Sequence, residues 1–324
     1  MQTAICCIAK CENRYLEEWV DYHLSLGFSH IFIYDNNNPD GEQIIPSVSG
    51  NEKVTIIDCR GKKAYQNIAY TEFYKTFGEQ YDWIAYIDVD EFITFSEESC
   101  LTDINDFLSR FSQDVGIVHL NWMCYGDNDI VDIDEDFSVL PRFTRPLDFD
   151  KKIQYDFPEN NHVKSIIRGG MDIRDKRITV HSPKDLTCKA VDAKGEECPN
   201  DYFAPYDFSV AFIRHYVTKT VYEWLLKISK GNVTANSASE LYPIERFFLY
   251  NERTPEKENA IRTYFLLKEV IQQEESTDSS IKEEELIKLE KRYEDLNRQY
   301  NSILNSRAYK LGKRLLAPIK FFKK

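Results

Sequence analysis

Asp88 and Asp90 are the residues whose types and spacing point most directly to chemistry. They follow a strongly apolar segment, Trp83–Ile87, and a single residue separates them. Carboxylate oxygens suit Mg²⁺ or Mn²⁺, and these cations commonly bind one or two protein carboxylates together with water and substrate phosphates. The pair therefore predicts a divalent-cation site, and the alternative is a strand end capped by solvated acids.

Position distinguishes this pair, because the Asp-x-Asp triplet recurs elsewhere in an acidic chain. Asp127 and Asp129 belong to a stretch without the loop glycine and final glutamate of a calcium-binding loop, so most of it is predicted to be a solvated loop. No GxGxxG or GxxxxGK sequence follows the predicted strands, which argues against a Rossmann dehydrogenase or a P-loop enzyme.

A carboxylate-held cation without a phosphate loop favours chemistry on a diphosphate-linked substrate. With a nucleotide sugar as substrate, the cation would neutralise the charge that develops on the departing diphosphate. A carboxylate would accept the proton of the acceptor hydroxyl. The pattern thus predicts chemistry on a diphosphate-linked substrate, and a nucleotide sugar is one such substrate.

The elements that must position these residues alternate between strand and helix, which predicts a mostly parallel sheet covered by helices. Ligands bind such sheets beyond the carboxyl ends of the strands, where the polar loops meet. The predicted strands are Ala4–Ala9, His30–Tyr34, Val54–Asp58 and Trp83–Asp88, with helices at Tyr15–Leu26 and Lys63–Phe77. The loops brought to that edge are Lys10–Asn13, Asp35-Asn36, Arg60–Lys63 and Asp88–Glu91.

The second part of the chain is less regular, as expected for an acceptor-binding half. Residues 117–215 mix strands and loops, and Cys188–Pro205 is interpreted as a surface excursion. Helices are predicted at Val221–Ser229 and Ile261–Gln273.

Composition limits the partners and the compartment. The chain has 324 residues and a formal net charge of −13, so nucleic acid is a poor partner for its surface. Its 8 cysteines form no CxxC pair and are predicted to be reduced thiols. The first ten residues lack the features of a signal peptide, and we expect a cytoplasmic protein.

Several segments together resemble one known group of proteins, the family 2-like and family 92 glycosyltransferases of GT-A type. The resemblance covers about residues 3 to 231 and lies in Lys10–Trp19, Tyr22-His23, Leu26-Gly27, Tyr34–Asn36, Gln66, Asp82–Phe92, Lys164–Arg168 and His215–Gly231. It implies an α/β fold of GT-A type, with a Rossmann-like mixed, mostly parallel sheet, helices on both faces and a C-terminal helical appendage. One departure is Cys11, where the group usually has asparagine before the glutamate.

The same resemblance implies roles for individual residues. Glu12, Asp35 with Asn36, and Gln66 would contact the nucleoside. Asp88 would face the ribose or the metal, and Asp90 would be the main ligand of Mn²⁺ or Mg²⁺. His181 and His215 are both candidates for a late histidine ligand. Lys164 and Arg168 would meet the diphosphate.

The general base is predicted from a Trp-x-x-aromatic-Gly segment, Trp122–Asp127, which resembles an acceptor-side segment of the group. Asp127 is the first candidate and Glu91 the second, and Asp127 as a plain turn residue is an equal alternative. The group is thought to invert the sugar carbon, which fits a single displacement with one carboxylate base.

The C-terminal part predicts two further contacts. Apolar residues at heptad spacing within 286–303 indicate either a short coiled coil that forms a homodimer or a helix docked on the catalytic domain. Residues 304–324 are predicted to form a basic amphipathic tail that binds an anionic membrane surface. The alternative is a basic end that is simply solvated. Its basic residues, with no acidic residue from 301 onward, are Arg307, Lys310, Lys313, Arg314, Lys320, Lys323 and Lys324.

These observations predict three parts: a catalytic domain at 1–250, a helical segment at 251–303 and the tail at 304–324. Residues 1–100 would form the nucleotide-sugar half and 101–250 the acceptor half. The expected function is metal-dependent transfer from a UDP-sugar, with UDP-galactose as one candidate, to a lipid-linked or surface glycan such as capsule or lipopolysaccharide at the inner face of the cell membrane. The alternatives are a non-catalytic sugar-binding or scaffold protein and a nucleotidyltransferase.

Overall fold

The protein is built on one large mixed sheet. The computed structural model describes residues 1–131, 138–173, 176–184, 188–230 and 244–274. The strands are β1 (Thr3–Ala9), β2 (His30–Asp35), β3 (Val54–Asp58), β4 (Trp83–Tyr86), β5 (Glu91–Phe95), β6 (Val115–Cys124), β7 (Val163–Arg168), β8 (Arg177–Ile178), β9 (Pro183–Lys184), β10 (Lys189–Val191) and β11 (Ala211–His215).

Nine of these strands form the main sheet in the order β3-β2-β1-β4-β7-β6-β11-β5, with β10 beside β6. Strands β1 to β4 pair in parallel, and β6 and β11 run in the same direction. Strands β7 and β5 run in the opposite direction. We call the edge where β1, β2, β4, β6 and β11 end the carboxyl edge, and β7 and β5 begin there. The predicted mixed, mostly parallel α/β sheet is confirmed.

Strand β1 shows why the sheet is buried on both faces. All of its residues are buried, and they alternate between two apolar clusters, as the two-residue period of a strand requires. One cluster includes Ile5 and Cys7, and the other includes Ala4, Cys6 and Ile8. A continuous apolar run is therefore the sequence mark of a central strand here.

Helices cover both faces of this sheet. Leu16 and Trp19 of the first helix lie in one apolar cluster, and Tyr70 and Phe73 of the third lie in the other. None of the described helices is long and apolar enough to cross a bilayer. The helices are α1 (Asn13–Ser25), α2 (Pro46–Ser49), α3 (Gln66–Phe77), α4 (Ile104–Leu108), α5 (Val139–Arg142), α6 (Val221–Lys230), α7 (Ile244–Tyr250) and α8 (Pro255–Glu274).

One predicted feature is wrong in part, because the supposed surface excursion contributes strand β10 to the sheet. Ala190 and Val191 of that strand are buried. Residues Met1–Ile261 form one compact unit, and the chain from Arg262 belongs to a second. The predicted coiled coil at 286–303 and the basic tail at 304–324 lie outside the described residues.

His23 is a core residue of the first helix. Its Nδ1–H donates to the carbonyl oxygen of Trp19 at 2.8 Å, and its Nε2 accepts from the backbone N–H of Ile93 at 3.3 Å. Burial lowers the pKa of His23 to about 3, although the bond to Trp19 opposes this. The neutral ring therefore connects α1 to β5.

We predict that His23 makes the fold acid-sensitive. A histidine with a pKa near 6.5 in the unfolded chain takes up a proton below that pH, whereas the folded protein resists protonation down to about pH 3. The stability due to the neutral ring is thus complete above pH 6.5 and declines as the pH falls. Between pH 7.5 and 5, this group alone should reduce the free energy of unfolding by about 2 kcal/mol.

His23→Gln keeps a donor and an acceptor but does not titrate in this range, so its stability should lose about 2 kcal/mol less over that interval. Urea unfolding of both proteins at pH 7.5 and 5 measures the difference. The other buried histidines are common to both proteins and cancel in this comparison. Equal losses in the two proteins would contradict the assignment.

Candidate active site

The carboxylate of Asp88 is held in one orientation at the end of β4. Its Oδ1 accepts from the Gln66 amide at 2.6 Å and from the Tyr70 hydroxyl at 3.3 Å. Its Oδ2 lies 2.6 Å from the ammonium nitrogen of Lys164. The side chain keeps a third of its surface exposed (33%), so an oriented carboxylate faces the open edge.

Lys164 and Glu91 form the buried support of this carboxylate. Lys164 is 1% exposed, and its nitrogen lies 3.2 Å from Glu91 Oε2, which also accepts from the backbone N–H of Asp88 at 2.8 Å. Burial raises the pKa of Glu91 to about 8, although Lys164 opposes it. Burial would lower the pKa of Lys164, but the two carboxylates outweigh burial and raise it. Lys164 is therefore a buried counter-ion at this edge.

Asp90 is surrounded by lysine and histidine side chains. Its Oδ2 is 2.9 Å from the Lys227 ammonium, and its Oδ1 is 3.8 Å from Nε2 of His215. Burial would raise the pKa of Asp90, but Lys227, Lys219 and His215 outweigh burial and hold it well below its usual value. Asp90 is thus a carboxylate at neutral pH, surrounded by more positive charge than it can balance.

His215 is the late histidine that the fold brings to Asp90. It ends β11 opposite Glu91, the first residue of β5, so the antiparallel pairing places it beside the Asp88–Glu91 turn. Burial lowers the pKa of His215 well below its usual value, with Asp90 opposing, and this keeps a ring lone pair available to a ligand.

His181 lies apart from Asp90 in its bonding. Its Nδ1–H donates to the Val163 carbonyl oxygen at 2.9 Å, and its ring packs 5.2 Å from that of Trp122. Burial lowers the pKa of His181 to about 3, and Lys164 adds to this. The structure describes no ion pair between His181 and Asp90, so the geometry favours His215 of the two predicted histidines.

Asp90 and His215 have the donor atoms for a divalent cation. Their facing atoms are too far apart for a hydrogen bond, and one carboxylate oxygen with one neutral imidazole nitrogen suits Mn²⁺ or Mg²⁺ when substrate oxygens and water complete the shell. Within the described ranges, no group of three or more histidine, cysteine, aspartate or glutamate side chains is arranged to hold a metal. Among the described residues, Asp90 and His215 thus supply part of a ligand shell.

The loops after β1 and β2 reach the same edge, but their polar groups already have partners. Asp35 Oδ2 lies 2.8 Å from the Arg60 guanidinium, and its Oδ1 accepts from Asn37. The Asn36 amide donates to two carbonyl oxygens of the loop that follows β3. Glu12 caps α1 through its carbonyl oxygen. These residues fix the shape of the predicted nucleoside side.

Arg168 is not brought to this edge, contrary to the sequence-based expectation. It ends β7, and because β7 is antiparallel to β4, Arg168 pairs with Trp83 at the start of β4. Its guanidinium donates to the carbonyl oxygens of Val115 and Ser112 and stacks 4.1 Å from the Trp83 ring. Arg168 therefore serves the opposite edge of the sheet.

The two predicted bases, Asp127 and Glu91, are both buried, and their side chains are bonded to other groups of the protein. Asp127 Oδ2 lies 2.5 Å from the Lys257 ammonium, and both side chains are buried. Its backbone N–H donates to the Asn251 side chain at 2.7 Å. This arrangement favours the structural alternative for Asp127, because its carboxylate is neutralised by a residue of α8. Glu91 is fully buried beneath Asp88.

The sequence interpretation missed Lys219 and Lys227, although a local signal precedes the second. The backbone N–H of Thr220 donates to Glu223 at 3.0 Å and that of Glu223 donates to the Thr220 hydroxyl at 3.2 Å, which is a reciprocal capping box. The Thr-x-x-Glu sequence motif could have located the start of α6. Lys227 lies one turn after Glu223 and thus reaches the carboxyl edge.

Curated relatives that carry the same family description match part of this chain. A "Glycosyltransferase family 92 protein" of Oryza sativa subsp. japonica is 30% identical over 123 residues, which are 37% of this chain and 20% of that protein. One of Arabidopsis thaliana is 32% identical over 96 residues, which are 29% of this chain and 16% of that protein. The matched segments thus span a fifth or less of these relatives.

Solved structures show only slight likeness. The galactosyltransferase LgtC in complex with donor and acceptor sugar analogues is 13% identical, with a TM-score of 0.25 over 51% of this chain and 57% of that chain. The strand order described above defines the fold. The model of "Glycosyltransferase family 92", in contrast, matches residues 3–296. This match includes every strand and the whole carboxyl edge, and the chain therefore belongs to glycosyltransferase family 92.

Proposed function

We propose that the protein is a divalent-cation-dependent glycosyltransferase that moves a sugar from a nucleotide-sugar donor to a glycan hydroxyl. The observation that carries this proposal is the pairing of Asp90 with His215 at the carboxyl edge, beside the oriented carboxylate of Asp88. Membership of family 92 supports the reaction class. The fuller proposal has a UDP-sugar as donor and a single inverting displacement.

Asp90 and His215 would hold Mn²⁺ or Mg²⁺, with donor phosphates and water as the remaining ligands. When bound, the cation supplies positive charge that stabilises the departing diphosphate. The residues of the chain orient the donor: Gln66, Tyr70 and Lys164 fix Asp88, so its exposed oxygens meet a donor hydroxyl without a reorganisation cost.

An aromatic wall extends from Asp90 toward the surface and would bind the acceptor. His215 packs 4.1 Å from the Trp122 ring, Trp122 stacks on His162 at 4.8 Å, and His162 lies 5.4 Å from the ring of Tyr155. Tyr155 is 40% exposed and stacks on Phe157. Flat, rigid rings bury the apolar faces of a sugar at little entropic cost.

The acceptor and location remain part of the proposal. A lipid-linked or surface glycan, as in capsule or lipopolysaccharide, would be held near an enzyme whose basic tail at 304–324 binds the inner face of the cell membrane. The segment 286–303 would pair two copies of the chain.

Deleting residues 305–324 tests the role of the tail. The deletion should move the protein from the membrane fraction to the soluble fraction, and an unchanged distribution would contradict the anchor.

The reaction class is tested with the full chain and a panel of nucleotide sugars, with Mn²⁺, Mg²⁺ or EDTA, and nucleoside diphosphate release as the readout. We expect release from one donor in the presence of a cation and little with EDTA. A protein that binds and cleaves no donor of the panel would contradict the proposal.

Asp90→Asn should reduce cation-dependent release by about 100-fold or more, because the variant loses a charged oxygen ligand. Asp129→Asn is the matched control, since Asp129 also ends an Asp-x-Asp triplet but is exposed and pairs with Arg145. The control should keep its activity. Equal activity of both variants, at unchanged melting temperature, would show that Asp90 binds no catalytic cation.

Tyr155→Ala should reduce transfer to the acceptor by about tenfold while leaving acceptor-independent hydrolysis of the donor unchanged, because only the wall would lose contact area. Phe265→Ala, which changes an exposed aromatic residue of α8, is the control. The ratio of transfer to hydrolysis is the measurement. A parallel loss of both activities would contradict an acceptor role.

A further inference from the structure

Lys219 is a buried cation in the turn between β11 and α6. It is 5% exposed, and within the described part of the chain no carboxylate lies at ion-pair distance from its nitrogen. The ammonium lies 3.5 Å from the Tyr216 carbonyl oxygen and 4.5 Å from the centroid of the Tyr15 ring. A weak carbonyl bond and a cation–π contact compensate only part of the cost of burying a charge.

The backbone conformation of the turn sets the direction of the Lys219 side chain. Lys219 has a φ of 54°, in the left-handed region that residues with a side chain rarely adopt. The following residues hold the turn: Thr220 and Glu223 form the capping box, and Glu223 is bound by Arg142 at 2.9 Å. Such strain persists where the surroundings impose it, and it is common at ligand sites.

Lys227 adds a second ammonium to the same place. It is bound to Asp90 at 2.9 Å and to the Val217 carbonyl oxygen at 3.2 Å. The positive charges of both lysines lower the pKa of Asp90. The charge of Lys227 also lowers the pKa of Lys219, so the two ammonium groups lie close together. Burial lowers the pKa of Lys219, with Asp90 and Glu12 opposing. Glu223, the other nearby acid, is already neutralised by Arg142.

The two basic residues predicted for a diphosphate do not supply that charge. Lys164 is enclosed between Asp88 and Glu91, and Arg168 serves the opposite edge. Lys219 and Lys227, in contrast, lie beside Asp90, where the donor phosphates would complete a cation's ligand shell. Two ammonium groups next to one carboxylate leave positive charge that an anion can balance.

We propose that Lys219 and Lys227 together form the diphosphate-binding site of the donor. This inference rests on the proposed function, since it names the part of the donor that the lysines hold. The diphosphate gives Lys219 the anionic partner that it lacks, and Lys227 shares its ammonium between Asp90 and a phosphate oxygen. Both lysines would also retain the free nucleoside diphosphate after transfer.

The test is titration calorimetry of the full chain with inorganic pyrophosphate and with UDP, GDP, CDP and ADP, first in EDTA and then with Mn²⁺. Lys219→Met and Lys227→Met should each weaken binding of pyrophosphate and of the preferred nucleoside diphosphate by tenfold or more, since each removes a charge-assisted contact. Lys152→Met, which removes an exposed lysine that pairs with Asp156, should bind as the natural protein does.

Lys219→Gly guards against misfolding, because glycine accepts the left-handed backbone without strain. It should bind pyrophosphate as weakly as Lys219→Met while keeping or raising the melting temperature. Unchanged pyrophosphate affinity in a folded Lys219→Gly protein would overturn the inference.

The outcomes separate the two proposals. Equal nucleoside diphosphate binding by the natural protein and both lysine variants would overturn the diphosphate site and leave the glycosyltransferase proposal standing. Lysine-dependent binding of pyrophosphate, with no nucleoside diphosphate bound more tightly, would support the site as an anion site and contradict a nucleotide-sugar donor.

Discussion

The buried ammonium of Lys164 is the interaction on which the carboxyl edge depends. It lies between Asp88 and Glu91 with 1% of its surface exposed, and a buried charge of this kind is tolerated only while its partners remain. The contact joins the end of β4 to the starts of β7 and β5. Glu91 in turn binds the backbone N–H of Asp88, and its carbonyl oxygen accepts from the Trp19 indole of α1. The turn that contains both aspartates is thus fixed from below and from the helical face.

This constraint makes the two aspartates unequal although one residue separates them. Asp88 has a permanent counter-ion and two neutral donors, so it is an oriented acceptor of hydrogen bonds. Asp90 projects toward Lys227 and His215, which are supplied by α6 and β11 late in the chain. An arrangement with more positive than negative charge suits an anionic substrate, whereas a closed metal site would carry more carboxylates. The asymmetry therefore divides one turn into a positioning side at Asp88 and a cationic side at Asp90.

The fold could be predicted where the signal is local. Buried strands and the amphipathic helix α1 show as apolar runs and helical spacing, so the sheet and its carboxyl edge followed from the sequence. Placement failed where long-range pairing decides it. Four residues separate Lys164 and Arg168 by about 13 Å along a strand. Because β7 is antiparallel to β4, Lys164 lies at the carboxyl edge and Arg168 lies toward the opposite edge. Asp127 finds its partner Lys257 in α8, a pairing that no local pattern contains.

The cationic side depends on a feature that is local in the sequence but acts on distant parts of the fold. The capping box of Thr220 and Glu223 fixes where α6 begins, and the bond from Glu223 to Arg142 and to the Tyr15 hydroxyl anchors that turn to α5 and α1. Once the start of the helix is set, Lys227 falls one turn beyond Glu223 and meets Asp90, while Lys219 is left in the strained position just before the cap. Shifting the helix start by one residue would rotate Lys227 by about 100° and remove it from Asp90. A cap ordinarily regarded as a stabilising detail thus sets the register of the charges around Asp90.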